Sequence, residues 1–266
     1  MRQFWAFFRV AVADALVYRA EGAVWMLLEV SQPVVALIFW LAAFQTKSDI
    51  AGYSLTSMVL YYFGIMFVNN LVATHPQYEL SREIRSGSFS YYLLRPVSLS
   101  VYKIAAGSSW RVVRILFFLP LILLLVPIFH LDLSSLSFSP AKILAILVSV
   151  FMAFWLHFFA KMILGLTTIW FTEAGWLFLS FNVINSFFSG QLIPLDLFPA
   201  KLLHFTNFLP FKYFLYFPVS LSLNRLNQAN AVILGLAVQF FWCLLFYWLY
   251  HLVLKRGTKA YSAYGG

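Results

Sequence analysis

Six stretches of mainly apolar residues run through the chain, at Val24–Phe44, Leu55–Ala73, Arg111–Phe129, Ala141–Ala160, Thr168–Ser189 and Ala231–Leu254. Each is close to the roughly 20 residues that a helix needs to cross a bilayer. What lies between them is short, so the expected fold is all-α: one polytopic membrane domain over residues 1–266, with no room for a separate catalytic domain of the usual ~50 residues or more. Composition agrees, with 62% hydrophobic and 20% aromatic residues but only 10% charged, where soluble domains carry about 25% charged. An ordinary soluble globule is excluded. A single cysteine leaves no internal disulfide and no Cys-based zinc or cluster site.

Basic residues set the orientation. With the N-terminus inside, thirteen of the eighteen Lys and Arg residues fall on the inner side: Arg2, Arg9, Arg19, Arg82, Arg85, Arg95, Lys103, Arg111, Arg114, Lys161, Lys255, Arg256 and Lys259. Lys47, Lys142, Lys201, Lys212 and Arg225 fall outside. Both termini are therefore expected in the cytoplasm and the chain in the plasma (inner) membrane. The net charge of +9 reads as topology, not as a nucleic-acid surface. Arg9, Asp14 and Arg19 interrupt any apolar signal core, so no cleavable signal is expected. Phe4, Trp5, Phe8, Ala11, Val12, Ala15 and Leu16 share a helical face flanked by Arg2 and Arg9, which describes an interfacial helix over 1–21; the alternative is a cytoplasmic tail.

Two connections stand out. The inner one, 75–110, opens with Tyr78-Glu79-Leu80-Ser81-Arg82-Glu83-Ile84-Arg85, a helix-compatible stretch that Gly87 should stop. Leu80 and Ile84, four apart, are expected to offer a small apolar ridge ringed by charge to a groove in a cytoplasmic partner; the alternative is a solvated helix that only anchors topology. Gly87-Ser88-Phe89-Ser90-Tyr91-Tyr92-Leu93-Leu94-Arg95-Pro96-Val97-Ser98 follows, and Pro96 forces an extended residue before it. The outer connection, 190–230, contains Gly190-Gln191-Leu192-Ile193-Pro194-Leu195-Asp196-Leu197-Phe198-Pro199 and later Leu209-Pro210-Phe211. It is too apolar for a free loop and too interrupted for a spanning helix. Short helices dipping into the outer leaflet are expected, their open backbone satisfied by protein or by a water-lined cavity.

In these two connections the sequence resembles the ABC type-2 exporter permeases. Glu83, Arg85, Gly87, Leu93, Leu94, Arg95, Pro96, Val97 and Ser98 fit that family's inner connection in order. The Gly-aliphatic-Pro-aliphatic stretch and the Leu-Pro-Phe fit its outer one. The resemblance implies that Tyr78, Glu79, Leu80, Arg82, Glu83, Ile84, Arg85 and Gly87 form a coupling helix, with Leu94, Arg95 and Pro96 in the loop behind it. It implies that Gly190, Pro194, Leu195, Phe198, Pro199, Pro210 and Phe211 belong to an extracellular gate. It further implies two copies of a cytoplasmic ATPase subunit holding ATP and Mg, and a second permease, identical or paralogous.

Within the spans, Asn69, Asn70, Asn182 and Asn185 are candidates for a polar substrate path or for hydrogen bonds between helices. Glu29 and Glu173 are acidic residues at or near membrane depth and so candidates for a transport role; the alternative is that each, lying near the cytoplasmic face, reaches water or pairs with a base such as Lys161. His157 reads as a core histidine and His75 as an interface marker. The chain has no G-x-x-x-x-G-K-[ST] phosphate loop and no His-Glu-x-x-His, so an enzymatic role of its own is not expected. A secondary transporter would show matching broken helices in two half-repeats, and only the outer connection is broken here.

Overall fold

The computed structural model describes residues 34–94, 98–108, 139–226 and 228–261, together with Val24, Ser31, Arg111, Pro120 and Pro127. The expected interfacial helix, residues 25–30 and 32–33 of the first span with Glu29, nearly all of the third span, and Arg95 and Pro96 lie outside the described residues. The rest is helical, and the helices in order are α1 (Val34–Ala43), α2 (Leu55–Val72), α3 (Pro76–Arg85), α4 (Ser90–Leu94), α5 (99–108), α6 (Pro140–Leu166), α7 (Gly175–Phe188), α8 (Ala200–Thr206), α9 (Tyr216–Ser222) and α10 (Ala229–Ala260). Among the described residues three helices are long and apolar enough to cross a membrane: α2 running on into α3, α6 with its terminal 3-10 turn, and α10.

Local chemistry starts these helices where the sequence places them. The Ser54 hydroxyl accepts from the Ser57 amide at the start of α2, and that of Ser139 accepts from Lys142, with Pro140 in the first turn of α6. Both are ordinary serine caps, and proline is suited to a first turn because its missing N–H would be unsatisfied there anyway. The fifth span is shorter than expected. A 3-10 turn at Thr167–Ile169 ends α6, and α7 begins only at Gly175. Glu173 lies between them, its side chain 84% exposed, because a carboxylate is far cheaper in water than within apolar helix. Its partner is Arg85, at 3.8 Å, and not Lys161.

α6 and α10 run parallel, as their contacts advance together: Ser149 to Gln239, Cys243 to the Met152 carbonyl, Phe159 to Tyr250, and Ile169 against Gly257. α2 shares that direction, since Thr74 beyond its C-terminus meets His157 and the following α3 lies against the end of α6. α7 runs the other way, from Phe178 beside Tyr78 to Phe188 beside Phe211. Its fourteen residues span about 21 Å at 1.5 Å per residue, and the segment 190–226 folds back against it, with Phe211 on Phe181 and Phe188 and the Tyr216 amide donating to Ser189 O. α9 inserts between α2 and α6, burying Phe217, Val219 and Leu221 in the main core with Tyr61, Tyr62, Ile65 and Leu156. A second core, built from Leu80, Ile84, Phe89, Leu99, Phe158, Met162 and Leu166, lies at the α3 end.

Candidate functional site

Pro76 opens α3 two residues ahead of Tyr78, and Gly87, at φ +79°, closes it. The helix has three faces. Leu80 and Ile84 are buried and, with Gln77 and Ser81, lie toward α6, where Leu80 and the Gln77 backbone close over Gly165. The expected outward apolar ridge is therefore corrected: Leu80 and Ile84 belong to the chain's own second core, because α6 already offers Phe158, Met162 and Leu166 to cover them. The second face carries Glu79 and Glu83, which turn to Lys103 of α5. The Lys103 ammonium lies 3.0 Å from Glu79 and 2.8 Å from Glu83 with its side chain fully buried. The Tyr92 hydroxyl donates to Glu83 Oε1 at 2.8 Å. Burial, reinforced by this bond, raises the Tyr92 phenol well above its ordinary range. The third face, Tyr78, Arg82 and Arg85, is exposed. Leu94 is exposed beyond it.

Behind α3, Lys161 of α6 is only 2% exposed. Its ammonium donates to Asn182 Oδ1 of α7 at 2.5 Å and lies 4.6 Å from the centre of the Phe181 ring. Asn182 in turn donates to the Tyr78 hydroxyl at 3.3 Å, so this amide joins three helices. Asn70 donates to Met66 O within its own helix, Asn69 and Asn185 are half-buried, and among the described residues no side-chain hydrogen bond joins the α2 pair to the α7 pair. His157 is buried, with Nδ1 against the Thr74 amide and its ring edge-on to Phe214.

At the opposite end the outer connection is held by side chains. Gly190, at φ +78°, presents its carbonyl to the buried Tyr61 hydroxyl at 2.6 Å. Leu192 O accepts from Tyr62 at 2.6 Å, and Tyr62 accepts from the Trp40 indole at 2.8 Å. Gln239 of α10 donates to the carbonyls of Ser149 and Tyr213. Open backbone within an apolar bundle is thus satisfied by protein groups, as it must be where water is scarce. Pro194, Leu195 and Pro210 are buried, Pro199 precedes α8, Phe198 meets Phe188, and Phe211 packs among Phe181, Phe188 and Phe214.

Asp196, which the sequence reading passed over, is the polar centre of this region. It accepts from Tyr53 at 2.6 Å and Tyr216 at 2.5 Å, and pairs with Arg225 at 3.3 Å. The Arg225 guanidinium also covers the Tyr53 ring at 3.2 Å and donates to Gly52 O. Burial first, and then Asp196, pushes the phenols of Tyr53 and Tyr216 well above their ordinary range. A tyrosine whose folded pKa is raised contributes stability that is complete below the unfolded value of about 10 and is lost as pH rises toward the folded one. Alkaline titration is therefore expected to leave these phenols protonated until the outer connection opens. Phenolate absorbance rising together with loss of near-UV dichroism checks this; ionisation of all tyrosines ahead of that loss would refute it.

A family model described as ABC-2 family transporter protein matches residues 30–265, nearly the whole chain and both sites. The chain belongs to the ABC-2 transporter family. It is a type-2 permease, the membrane component of an ABC transporter. Comparison with curated proteins and with solved structures returned no match.

Proposed function

We propose that the permease works in an ATP-driven exporter in the inner membrane, with both termini cytoplasmic, six spans, two copies of a cytoplasmic ABC ATPase and a second permease, identical or paralogous. The observation that carries this is the seat of α3: a short amphipathic helix fixed to the end of α6, with Tyr78, Arg82 and Arg85 exposed, Tyr78 beside Phe178 and Arg85 3.8 Å from Glu173. Glu79 and Glu83 are engaged by Lys103, so the face left for a partner is aromatic and basic. The cleft of the ATPase that receives it is accordingly acidic. ATP and Mg are held by that subunit. Its closure pushes α3, rocks the spans against the second permease and alternates access at the interface between them. The outer connection, from Gly190 to Phe211, is the gate.

The substrate that fits best is an amphiphile reaching the permease from the lipid. The exposed Phe240, Phe241, Leu244 and Trp248 of α10 support a route along a lipid-facing surface. The test begins with tagged permease purified in mild detergent. A co-purifying protein with a phosphate-loop motif and vanadate-sensitive ATP hydrolysis is expected. Arg82→Glu/Arg85→Glu should reduce its recovery about tenfold, a loss of ~1.4 kcal/mol. Recovery unchanged by the double reversal would remove α3 as the docking helix.

A further inference from the structure

The buried ion cluster between α3 and α5 has a geometry that topology alone does not require. Lys103 sits on an otherwise largely apolar helix and reaches two carboxylates one turn apart on α3. Its ammonium is also 5.3 Å and 5.4 Å from the centres of the Tyr92 and Tyr102 rings. Tyr92 reaches Glu83 from α4, and Leu99 of α5 packs in the same core as Leu80 and Ile84. Surface pairs of long side chains slide with little cost. A fully buried ammonium held at several points does not, because a rotation of α3 against α5 that breaks the Glu83 contact leaves that carboxylate, 14% exposed, and the ammonium unpaired out of water.

We infer that Lys103 is a positioning residue that makes α3 and α5 move as one body, so that a push on α3 is delivered through α5 toward the third span. This rests on the coupling reading above. Without Lys103, Glu79 and Glu83 repel each other on one helical face, and the apolar core that Leu99 shares with Leu80 and Ile84 tolerates sliding. Arg85 and Glu173 cannot replace the tie, since both are substantially exposed. Lys103 touches neither nucleotide nor substrate; it decides whether the motion is passed on.

The experiment places spin labels at Ser86 on α3, Val101 on α5 and Lys259 on α10, in a Cys243→Ser background of the full chain with its co-purified ATPase. Distances from Ser86 and from Val101 to Lys259 are measured before and after ATP with vanadate. In the otherwise unaltered chain and in Lys103→Arg, both distances are expected to shift together. In Lys103→Met the Ser86 distance shifts and the Val101 distance does not. Because that variant leaves two carboxylates without their partner, Lys103→Met/Glu79→Gln/Glu83→Gln serves as a second one with no unpaired charge, and the same separation is expected. Val101 following Ser86 in either variant that removes the ammonium, or moving independently of it when Lys103 is present, overturns the inference. If neither distance responds to nucleotide in the unaltered complex, the coupling reading itself fails, and with it the role of Lys103.

Discussion

Gly190→Ala is expected to destabilise the permease by about 3 kcal/mol, combining the penalty of a left-handed backbone for a residue with a Cβ and that of an overpacked site. The backbone there has φ +78°, and a Cβ would lie 2.5 Å from the Tyr61 hydroxyl and 3.1 Å from Tyr216 Cβ. Neither neighbour retreats easily. Tyr61 is fully buried and its hydroxyl is bonded to the Gly190 carbonyl, while the Tyr216 amide donates to Ser189 O. The double variant Gly190→Ala/Tyr61→Phe separates the two causes, since removing the hydroxyl removes the collision and leaves the backbone penalty. Thermal unfolding of detergent-solubilised protein should therefore show the pair less destabilised than the sum of the singles, by about 1 kcal/mol. Strict additivity would show that the contact with Tyr61 is not the cause.

The long helices were legible because their signals are local. An apolar run introduced by Ser54 or by Ser139-Pro140 contains both the reason for the helix and its starting point. The fifth span was overdrawn for the same reason. Thr168, Trp170 and Phe171 extend the apolar run, and only the tertiary arrangement shows Glu173 in water opposite Arg85. α3 was legible as an amphipathic helix ending at Gly87, but amphipathicity does not say which neighbour covers the apolar stripe. α6 of the same chain covers it, and the charged and aromatic stripe faces outward. Lys103 had a readable signal, a lone base on an apolar helix near two acids four apart. The outer node had none, for Asp196 meets Tyr53 across 143 positions and Arg225 across 29. A buried pair of tyrosines such as Tyr61 and Tyr62 does announce that acceptors must be found, without saying that carbonyls in a broken segment provide them.

Asp196→Ala is expected to release the outer connection while leaving the long helices folded. The substitution removes the acceptor of two phenols and the counter-charge of Arg225 at once. A fully buried pair broken this way costs about 3–5 kcal/mol. The Asp196 and Arg225 side chains are 30% and 23% exposed, so solvent screens part of the interaction, and about 2 kcal/mol is the expected loss. The loss is confined because Arg225 keeps Gly52 O, and Gln239 keeps Ser149 and Tyr213. Hydrogen exchange should rise more than about tenfold, equivalent to ~1.4 kcal/mol, in 191–198 and 216–225, and stay unchanged in the middle of α6 and α10. Asp196→Asn should have a smaller effect, as its one amide oxygen still accepts from one phenol while its NH2 group faces the other. Equal effects of the two substitutions would mean that charge pairing with Arg225 holds the segment. A global rise in exchange would mean that Asp196 supports the whole bundle instead of the gate alone.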